Sequence, residues 1–301
     1  MNGIRAGDLE AQSSKQVRPH RGVSIAERFY RRTMGDRFRS WVCVHKESDL
    51  WIGVSPASWR PTMDAYAHEA LLDARAQIER YTPPLAGSAL DLVQSQIESC
   101  ASPRPPGATQ PERTGHDLFL QSLSPLPDDP EGPPVVRAML QAGLAAEVGP
   151  MAAVAGAIAE YVGRAIAAEF GCKEVLVENG GDLWLSFVRP LIITLFAGRS
   201  PLSGRFGIEL APALSPCGLC TSSGTVGPSL SFGYADASVI LCADAALADA
   251  WATESCNAVQ CAEDIEAVLG VLGRRSEILG SLIVVGDRMG IQGRLNIRPV
   301  Q

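Results

Sequence analysis

Residues 218–257 constrain the fold and the chemistry of this chain more than any other part of its sequence. Residues 218–227 are rich in glycine, serine and threonine, and residues 248–253 read Ala-Asp-Ala-Trp-Ala-Thr, an alanine-rich helical pattern. Glycine lets backbone amides turn toward an anion, and hydroxyl groups add further donors. We therefore predict a phosphate-binding loop whose ligands are Thr221, Ser222, Ser223 and Gly224. An ordinary turn is the alternative, because serine and glycine dominate turns.

The alanine-rich helix carries one carboxylate and one hydroxyl, Asp249 and Thr253, four residues apart. That spacing places both side chains on one helix face, with about 6 Å between their Cβ atoms. A small hard cation such as Mg²⁺ could bridge them there. An aspartate buried among alanines needs a partner to offset its desolvation, and that partner is either a cation or a hydrogen bond from a nearby helix end. A phosphate loop beside a Mg²⁺ site indicates a phosphorylated ligand.

A third polar pattern, Asn179-Gly-Gly-Asp182, lies between two short apolar runs. Gly180 and Gly181 predict a tight hairpin turn between two strands. Asp182 stands at the start of the second strand, where it either accepts a hydroxyl or N–H from a ligand or bonds back into the turn. We treat Gly180, Gly181 and Asp182 as candidate nucleotide-binding residues.

Four of the eight cysteines form C-x2-C and C-x4-C patterns, which favour a zinc or iron–sulfur site as an alternative. They are Cys217, Cys220, Cys256 and Cys261. A helical spacing of five residues would put Cys256 and Cys261 on different faces, which is a poor arrangement for one metal. The other interpretation is that these cysteines are small buried hydrophobic residues.

Composition limits the class of protein. The chain is 46% hydrophobic and carries a net charge of −7, which argues against nucleic-acid binding. No apolar run approaches the roughly 20 residues that cross a membrane. The polar N-terminus lacks the apolar core of a signal peptide. We therefore expect a cytoplasmic protein that binds neither nucleic acids nor membranes.

The order of the predicted elements indicates a single α+β domain with mixed sheets and packed helices. Residues 1–22 predict a disordered extension, and residues 23–301 form the domain, with a Pro- and Ser-rich insertion at about 82–114. Two small-residue helices let another backbone approach closely, which favours a close-packed homodimer. The predicted helices cover residues 63–81, 138–146, 151–170, 245–260 and 265–272, and the predicted strands 41–45, 49–54, 174–178, 182–187, 191–196, 205–210, 237–242, 281–285 and 294–297.

Read together, residues 177–183, 220–224, 237–240 and 248–253 resemble the ApbE-like superfamily, which is named for the FAD:protein FMN transferases. The chain is also similar to an uncharacterised cytosolic branch of that superfamily, through residues 27–32, 149–160, 197–203 and 224–233. The likeness covers roughly residues 23–301 without the insertion. It implies an ApbE-like fold, an α/β roll in the α+β class, with a flavin site.

The resemblance also implies a set of ligands. Mg²⁺ would lie on Asp249 and Thr253, with a backbone carbonyl near Ala155, and Ala155 and Gly156 would border the cofactor, FAD or FMN. In the transferases the metal activates FAD for transfer of FMN to an acceptor protein. This chain departs from that pattern in two places. It has Ala157-Ile-Ala-Glu160 where the transferases have Lys-Gly, and Pro228 stands where related sequences carry His.

Three hypotheses follow from these patterns, and none of them assigns a catalytic residue. The first is a Mg²⁺-dependent protein that binds FAD or FMN, as a flavin transferase or an enzyme that cleaves the FAD diphosphate. The second is a non-catalytic carrier of a flavin or another nucleotide, which the missing Lys and His favour. The third is a cysteine-metal redox protein.

Overall fold

The structure is a computed structural model that describes residues 37–84, 114–226 and 231–300. The predicted N-terminal extension and nearly all of the predicted insertion lie outside these residues. Within them, eleven strands form two antiparallel sheets. The strands are β1 (Arg39–His45), β2 (Ser48–Val54), β3 (Val175–Asn179), β4 (Asp182–Ser186), β5 (Leu191–Thr194), β6 (Phe206–Leu210), β7 (Cys217–Ser222), β8 (Ala237–Cys242), β9 (Ile278–Val285), β10 (Arg288–Gly293) and β11 (Asn296–Pro299).

The larger sheet has eight strands in the order β1-β2-β3-β4-β7-β8-β9-β10, and the smaller has the order β11-β6-β5. The described α-helices are α1 (Met63–Arg80), α2 (Gly115–Gln121), α3 (Pro134–Ala146), α4 (Val154–Phe170), α5 (Ala245–Ala258) and α6 (Ile265–Leu272). A 3-10 helix, Pro150–Ala153, leads directly into α4. The predicted α+β class is therefore confirmed.

The large sheet is the middle of three layers. Successive residues of a strand point to opposite faces, and β8 shows the consequence. Ile240 and Cys242 join the core shared with the helices, whereas Val239 and Leu241 join the core shared with the small sheet. Both faces of the sheet are thus buried, which explains why every residue of β8 is buried.

Glycines let α5 approach two other elements at backbone distance. A Cβ added to Gly156, on α4, would lie 2.2 Å from the carbonyl oxygen of Ala245, and one added to Gly218, on β7, would lie 2.3 Å from the Ala245 Cα. No side chain fits in either place. The start of α5 is therefore packed directly against both α4 and β7, and this contact positions the site described below.

The helical stretch Pro150–Phe170 is long and apolar enough to cross a membrane by length and composition alone. Its buried residues include Gly156, Ala159, Val162 and Ile166, and Val162 and Ile166 belong to the core shared with the large sheet. The structure places the stretch as a core helix of the domain.

Several predicted boundaries are wrong. Residues 217–222 form the strand β7 rather than part of a loop, because their backbone pairs with both β4 and β8. The structure also contains β10, which no pattern predicted; Gly290 and Gly293 interrupt its apolar alternation. Helix α5 ends at Ala258, two residues before the predicted end at about residue 260.

Candidate functional site

Asp249 is the central residue of the candidate site, and it is buried, with 8% of its surface exposed. Its Oδ2 accepts a hydrogen bond of 2.9 Å from the N–H of Gly156, in the first turn of α4. That helix has no side-chain cap of its own at Ala153, so Asp249 supplies one from a neighbouring helix. Burial raises the pKa of Asp249 to about 7, although the amides of Gly156 and Ala155 lower it. The predicted hydrogen bond from a helix end is present.

Asp182 is the first residue of β4 and is also buried. Its Oδ1 accepts a hydrogen bond of 3.2 Å from the N–H of Thr221, on the neighbouring β7. Burial and the nearby charge of Asp249 raise the pKa of Asp182 well above its ordinary value. The site therefore brings together two buried carboxylates that oppose each other's ionisation. Of the ion pairs found among the described residues, none includes either of them.

The turn between β3 and β4 is fixed to the start of α4. Gly180 and Gly181 have φ values of 71° and 113°, a region that favours glycine, which confirms the predicted turn. Glu178 accepts the N–H of Gly181 at 2.9 Å, and Asn179 Nδ2 donates to the carbonyl of Ala155 at 3.1 Å. The turn therefore places Asp182 near the start of α4, where Asp249 accepts the N–H of Gly156.

Glu178 and Asn179 also border the candidate site, although neither was chosen as a ligand from the sequence, where Asn179 served only to open the pattern Asn179-Gly-Gly-Asp182. Both are buried, and the charge of Glu178 also raises the pKa of Asp182. The available signal was a pair of polar residues at the end of an otherwise apolar strand, immediately before the two glycines. Polar residues at the end of an apolar strand that are buried rather than exposed to solvent are typical of a binding site.

The predicted phosphate loop divides into a strand end and a closed turn. Thr221 and Ser222 are the last residues of β7, and the Ser222 side chain is buried. The hydroxyl of Ser223 accepts the N–H groups of Thr225 and Val226 at 3.1 and 3.0 Å. The Gly224 N–H donates to the carbonyl of Ala235 at 2.9 Å. Ser223 and Gly224 therefore close the turn, as the alternative interpretation predicted.

Thr253 lies one turn after Asp249 on α5 and is half-buried. The site therefore offers carboxylate, hydroxyl and carbonyl oxygens, and Mg²⁺ prefers such hard donors. Within the described parts of the chain, no cluster of three or more His, Cys, Asp or Glu side chains could hold a metal ion. Asp249 and Thr253 carry oxygens of the kind that Mg²⁺ binds, with water supplying the remaining ligands. The Ala155 carbonyl, the third donor that the resemblance implies, already accepts the hydrogen bond from Asn179.

The cysteine-metal hypothesis is wrong for the four cysteines that suggested it. Cys217 and Cys220 are three residues apart on a strand, so they lie on opposite faces of the large sheet. Cys261 is exposed, whereas the other three are buried. Burial and the charges of nearby carboxylates raise the pKa of the Cys220 thiol well above its ordinary value, so that thiol stays protonated.

Glu160 ends the stretch, residues 157–160, where the transferases have Lys-Gly. Its Oε2 accepts the N–H of Ala245 at 2.6 Å, and its Oε1 accepts a hydrogen bond of 2.6 Å from Arg164. Burial raises the pKa of Glu160, although the Ala245 amide and the Arg164 guanidinium lower it. This carboxylate stabilises the start of α5, the helix that carries Asp249 and Thr253. An open cleft of about 320 Å³ beside the end of α1 shares no residue with the site.

Comparison with known proteins places the site in a family context. The family model described as "AbpE bacteria" matches residues 113–284, which contain Asp182, Asp249 and Thr253. A UPF0280 protein of Methanocella arvoryzae is 41% identical over 177 residues, covering 59% of this chain and 71% of that protein. A UPF0280 protein of Methanosphaerula palustris is 47% identical over 143 residues, covering 48% and 60%.

Among solved structures, the chain is similar to a flavin transferase ApbE from Vibrio cholerae. The TM-score is 0.49 and the sequence identity 12%, over 85% of this chain and 96% of that one. An ApbE protein from Thermotoga maritima gives a TM-score of 0.48 at 12% identity, over 85% of this chain and 97% of that one.

Proposed function

The chain belongs to the family described as AbpE bacteria, and from that premise we propose that it is a Mg²⁺-dependent protein that binds FAD or FMN. The observation that carries the proposal is the pair of buried carboxylates, Asp182 and Asp249, which accept the N–H groups of Thr221 and Gly156. Burial raises the pKa of both groups, and the charge of Asp249 raises the pKa of Asp182 further. A divalent cation would stabilise both ionised groups, and the phosphates of a nucleotide would balance its remaining charge.

Each part of the site has a place in this proposal. Asp249 and Thr253 would hold the metal, and Asp182 with the glycine turn would orient the nucleotide. Of the two hydroxyls at the end of β7, that of Ser222 lies on the helix side of the sheet with Cys220 and remains a candidate phosphate donor, whereas Thr221 alternates to the other face and offers its N–H to Asp182. When bound, Mg²⁺ neutralises the diphosphate and polarises it as a Lewis acid. The amides of Ala155 and Gly156 hold the Asp249 carboxylate in its orientation.

Calorimetry of FAD binding tests the proposal. We expect saturable binding with Mg²⁺ that weakens at least tenfold in EDTA and in the variant Asp249→Asn, because EDTA removes the cation that balances the phosphates and the variant removes the carboxylate that would hold it. Glu209→Gln is the matched control, since Glu209 pairs with Arg298 at 2.8 Å on the small sheet. Binding that is equally strong in EDTA, or in Asp249→Asn, would contradict the proposal.

A non-catalytic carrier is the second candidate function, and Glu160 favours it. Residues 157–160 contain no lysine, so this stretch adds no cation beside the phosphates, and its carboxylate, Glu160, accepts hydrogen bonds from Arg164 and from the N–H of Ala245. Incubation with FAD and Mg²⁺ separates the two candidates. Release of AMP, or flavin covalently attached to a Thr or Ser of an acceptor protein, supports the transferase, whereas tight binding without either product supports the carrier.

Three other expectations from the sequence stay predictions. They are the cytoplasmic location, the homodimer formed through small-residue helices, and the organisation of residues 23–301 as one domain.

A further inference from the structure

Two exposed aromatic side chains lie two residues apart, after the end of the predicted phosphate loop. Phe232 is 60% exposed and Tyr234 is 54% exposed. Across residues 37–84, 114–226 and 231–300, the large exposed hydrophobic side chains include no other aromatic residue. Single exposed aliphatic residues are common on protein surfaces, but two neighbouring aromatic side chains that are each more than half exposed are a distinct feature. We call residues 231–235 the aromatic segment.

The backbone of the aromatic segment is held firmly on the end of α5. Phe232 donates its N–H to Asn257 Oδ1 at 2.8 Å, and Tyr234 donates its N–H to the carbonyl of Val259 at 2.8 Å. A Cβ added to Gly233 would lie 1.7 Å from the carbonyl oxygen of Cys256. The two rings are therefore presented from a fixed backbone, which lowers the entropy lost when a ligand stacks on them.

The aromatic segment is connected to the carboxylate site in two ways. Asn257 lies eight residues after Asp249 and four after Thr253 on the same stripe of α5, about 12 Å from Asp249 along the helix axis. The end of β7 also contacts the segment, because a Cβ added to Gly224 would lie 1.9 Å from the carbonyl oxygen of Gly233. The aromatic segment is thus attached to the end of α5, which carries Asp249 and Thr253, and to the turn that follows β7.

We propose that Phe232 and Tyr234 form a stacking surface for the planar ring of the bound nucleotide. This inference rests on the proposed function. A flavin or adenine nucleotide carries its phosphates and its heteroaromatic ring at opposite ends of a sugar or ribityl linker. Phosphates held near Asp249 and Thr253 would leave the ring further along the stripe of α5, toward Asn257. An aromatic side chain offers such a ring dispersion contact and burial without hydrogen-bond specificity.

Calorimetry with four probes tests the inference, each in the presence of Mg²⁺: FAD, FMN, ADP and inorganic pyrophosphate. For Phe232→Ala we expect FAD affinity to fall about 5- to 100-fold, the range found when one stacking partner of a base is removed. Pyrophosphate carries no ring, so its affinity stays unchanged. A loss for FMN but not ADP assigns the surface to the flavin ring, and the reverse pattern assigns it to adenine.

Two control variants make the result specific. Phe232→Tyr keeps a flat ring and should retain the affinity for FAD, and Ile192→Ala removes a side chain that is 53% exposed on the small sheet and should change nothing. Unchanged thermal midpoints show that the variants fold. Wild-type affinity in the double variant Phe232→Ala, Tyr234→Ala, or an equal loss for pyrophosphate, overturns the stacking surface alone. A wild-type protein that binds none of the four probes overturns the proposed function as well.

Discussion

The replacement Asp249→Asn should stabilise the metal-free protein at high pH. Burial raises the pKa of Asp249 from 3.8 to about 7. The folded chain therefore favours the protonated carboxyl, so the free energy of unfolding is greatest below pH 4 and falls as the pH rises through 7. At pH 8 the ionised carboxylate opposes folding by about 4 kcal/mol, at 1.36 kcal/mol for each pKa unit.

The asparagine removes that charge but brings a new amide into the site. Its Oδ1 can still accept the N–H of Gly156, which the carboxylate accepts at 2.9 Å. Its NH₂ group needs partners, and an unsatisfied buried donor costs about 1–3 kcal/mol. The net expectation is a gain of about 1–3 kcal/mol at pH 8 that falls to near zero at pH 5.

Urea unfolding in EDTA at pH 5 and pH 8 measures this difference. Glu174→Gln is the control of opposite sign. Burial raises the pKa of Glu174, but the hydrogen bond from Arg37 at 2.6 Å and its charge lower it overall. That variant should lose about 2 kcal/mol at both pH values. Destabilisation of Asp249→Asn at pH 8, or a gain of equal size at pH 5 and pH 8, would refute the reasoning.

Three further predictions follow from the packing around the site. Gly156→Ala places a Cβ 2.2 Å from the Ala245 carbonyl oxygen, so we expect a loss of about 2–3 kcal/mol in unfolding free energy together with weaker FAD binding by calorimetry. Glu160→Ala removes the acceptor of the Ala245 N–H at the start of α5 together with the bond to Arg164; thermal unfolding should show a loss of about 1–3 kcal/mol, and an unchanged midpoint would contradict that role. Thiol titration of the folded chain should modify Cys261 far faster than the buried cysteines, and equally fast modification of Cys220 would contradict its burial.

Single residues of the candidate site could be selected from the sequence more readily than their arrangement in space. Asp249 stood out because a carboxylate among alanines needs a partner, and Asp182 stood out because the glycine turn left it unexplained. Spacing within one helix or one turn also allowed each group to be placed on its own element. Such spacings depend only on the conformation of one helix or one turn, so they are the same in the folded chain as in the predicted element.

The remaining features depend on contacts between distant parts of the chain. The approach of α5 to α4 at Gly156 and Ala245 is what brings Asp249 to a helix N-terminus, and nothing in either segment alone specifies it. The Ser223 hydroxyl accepts two backbone N–H groups of its own turn, so it stabilises that turn. Cys217 and Cys220 separated onto opposite faces once residues 217–222 formed a strand. The sequence analysis treated this part of the chain as a loop, in which the two cysteines could have faced the same side.

Anomalous scattering from crystals grown with FAD and Mn²⁺ tests the central claim most directly, because Mn²⁺ substitutes for Mg²⁺ at oxygen sites. We predict a manganese peak within coordination distance of the Asp249 carboxylate and the Thr253 hydroxyl, with the nucleotide phosphates beside it. Bound FAD with no manganese at Asp249, or manganese at a site that excludes both residues, would contradict the account.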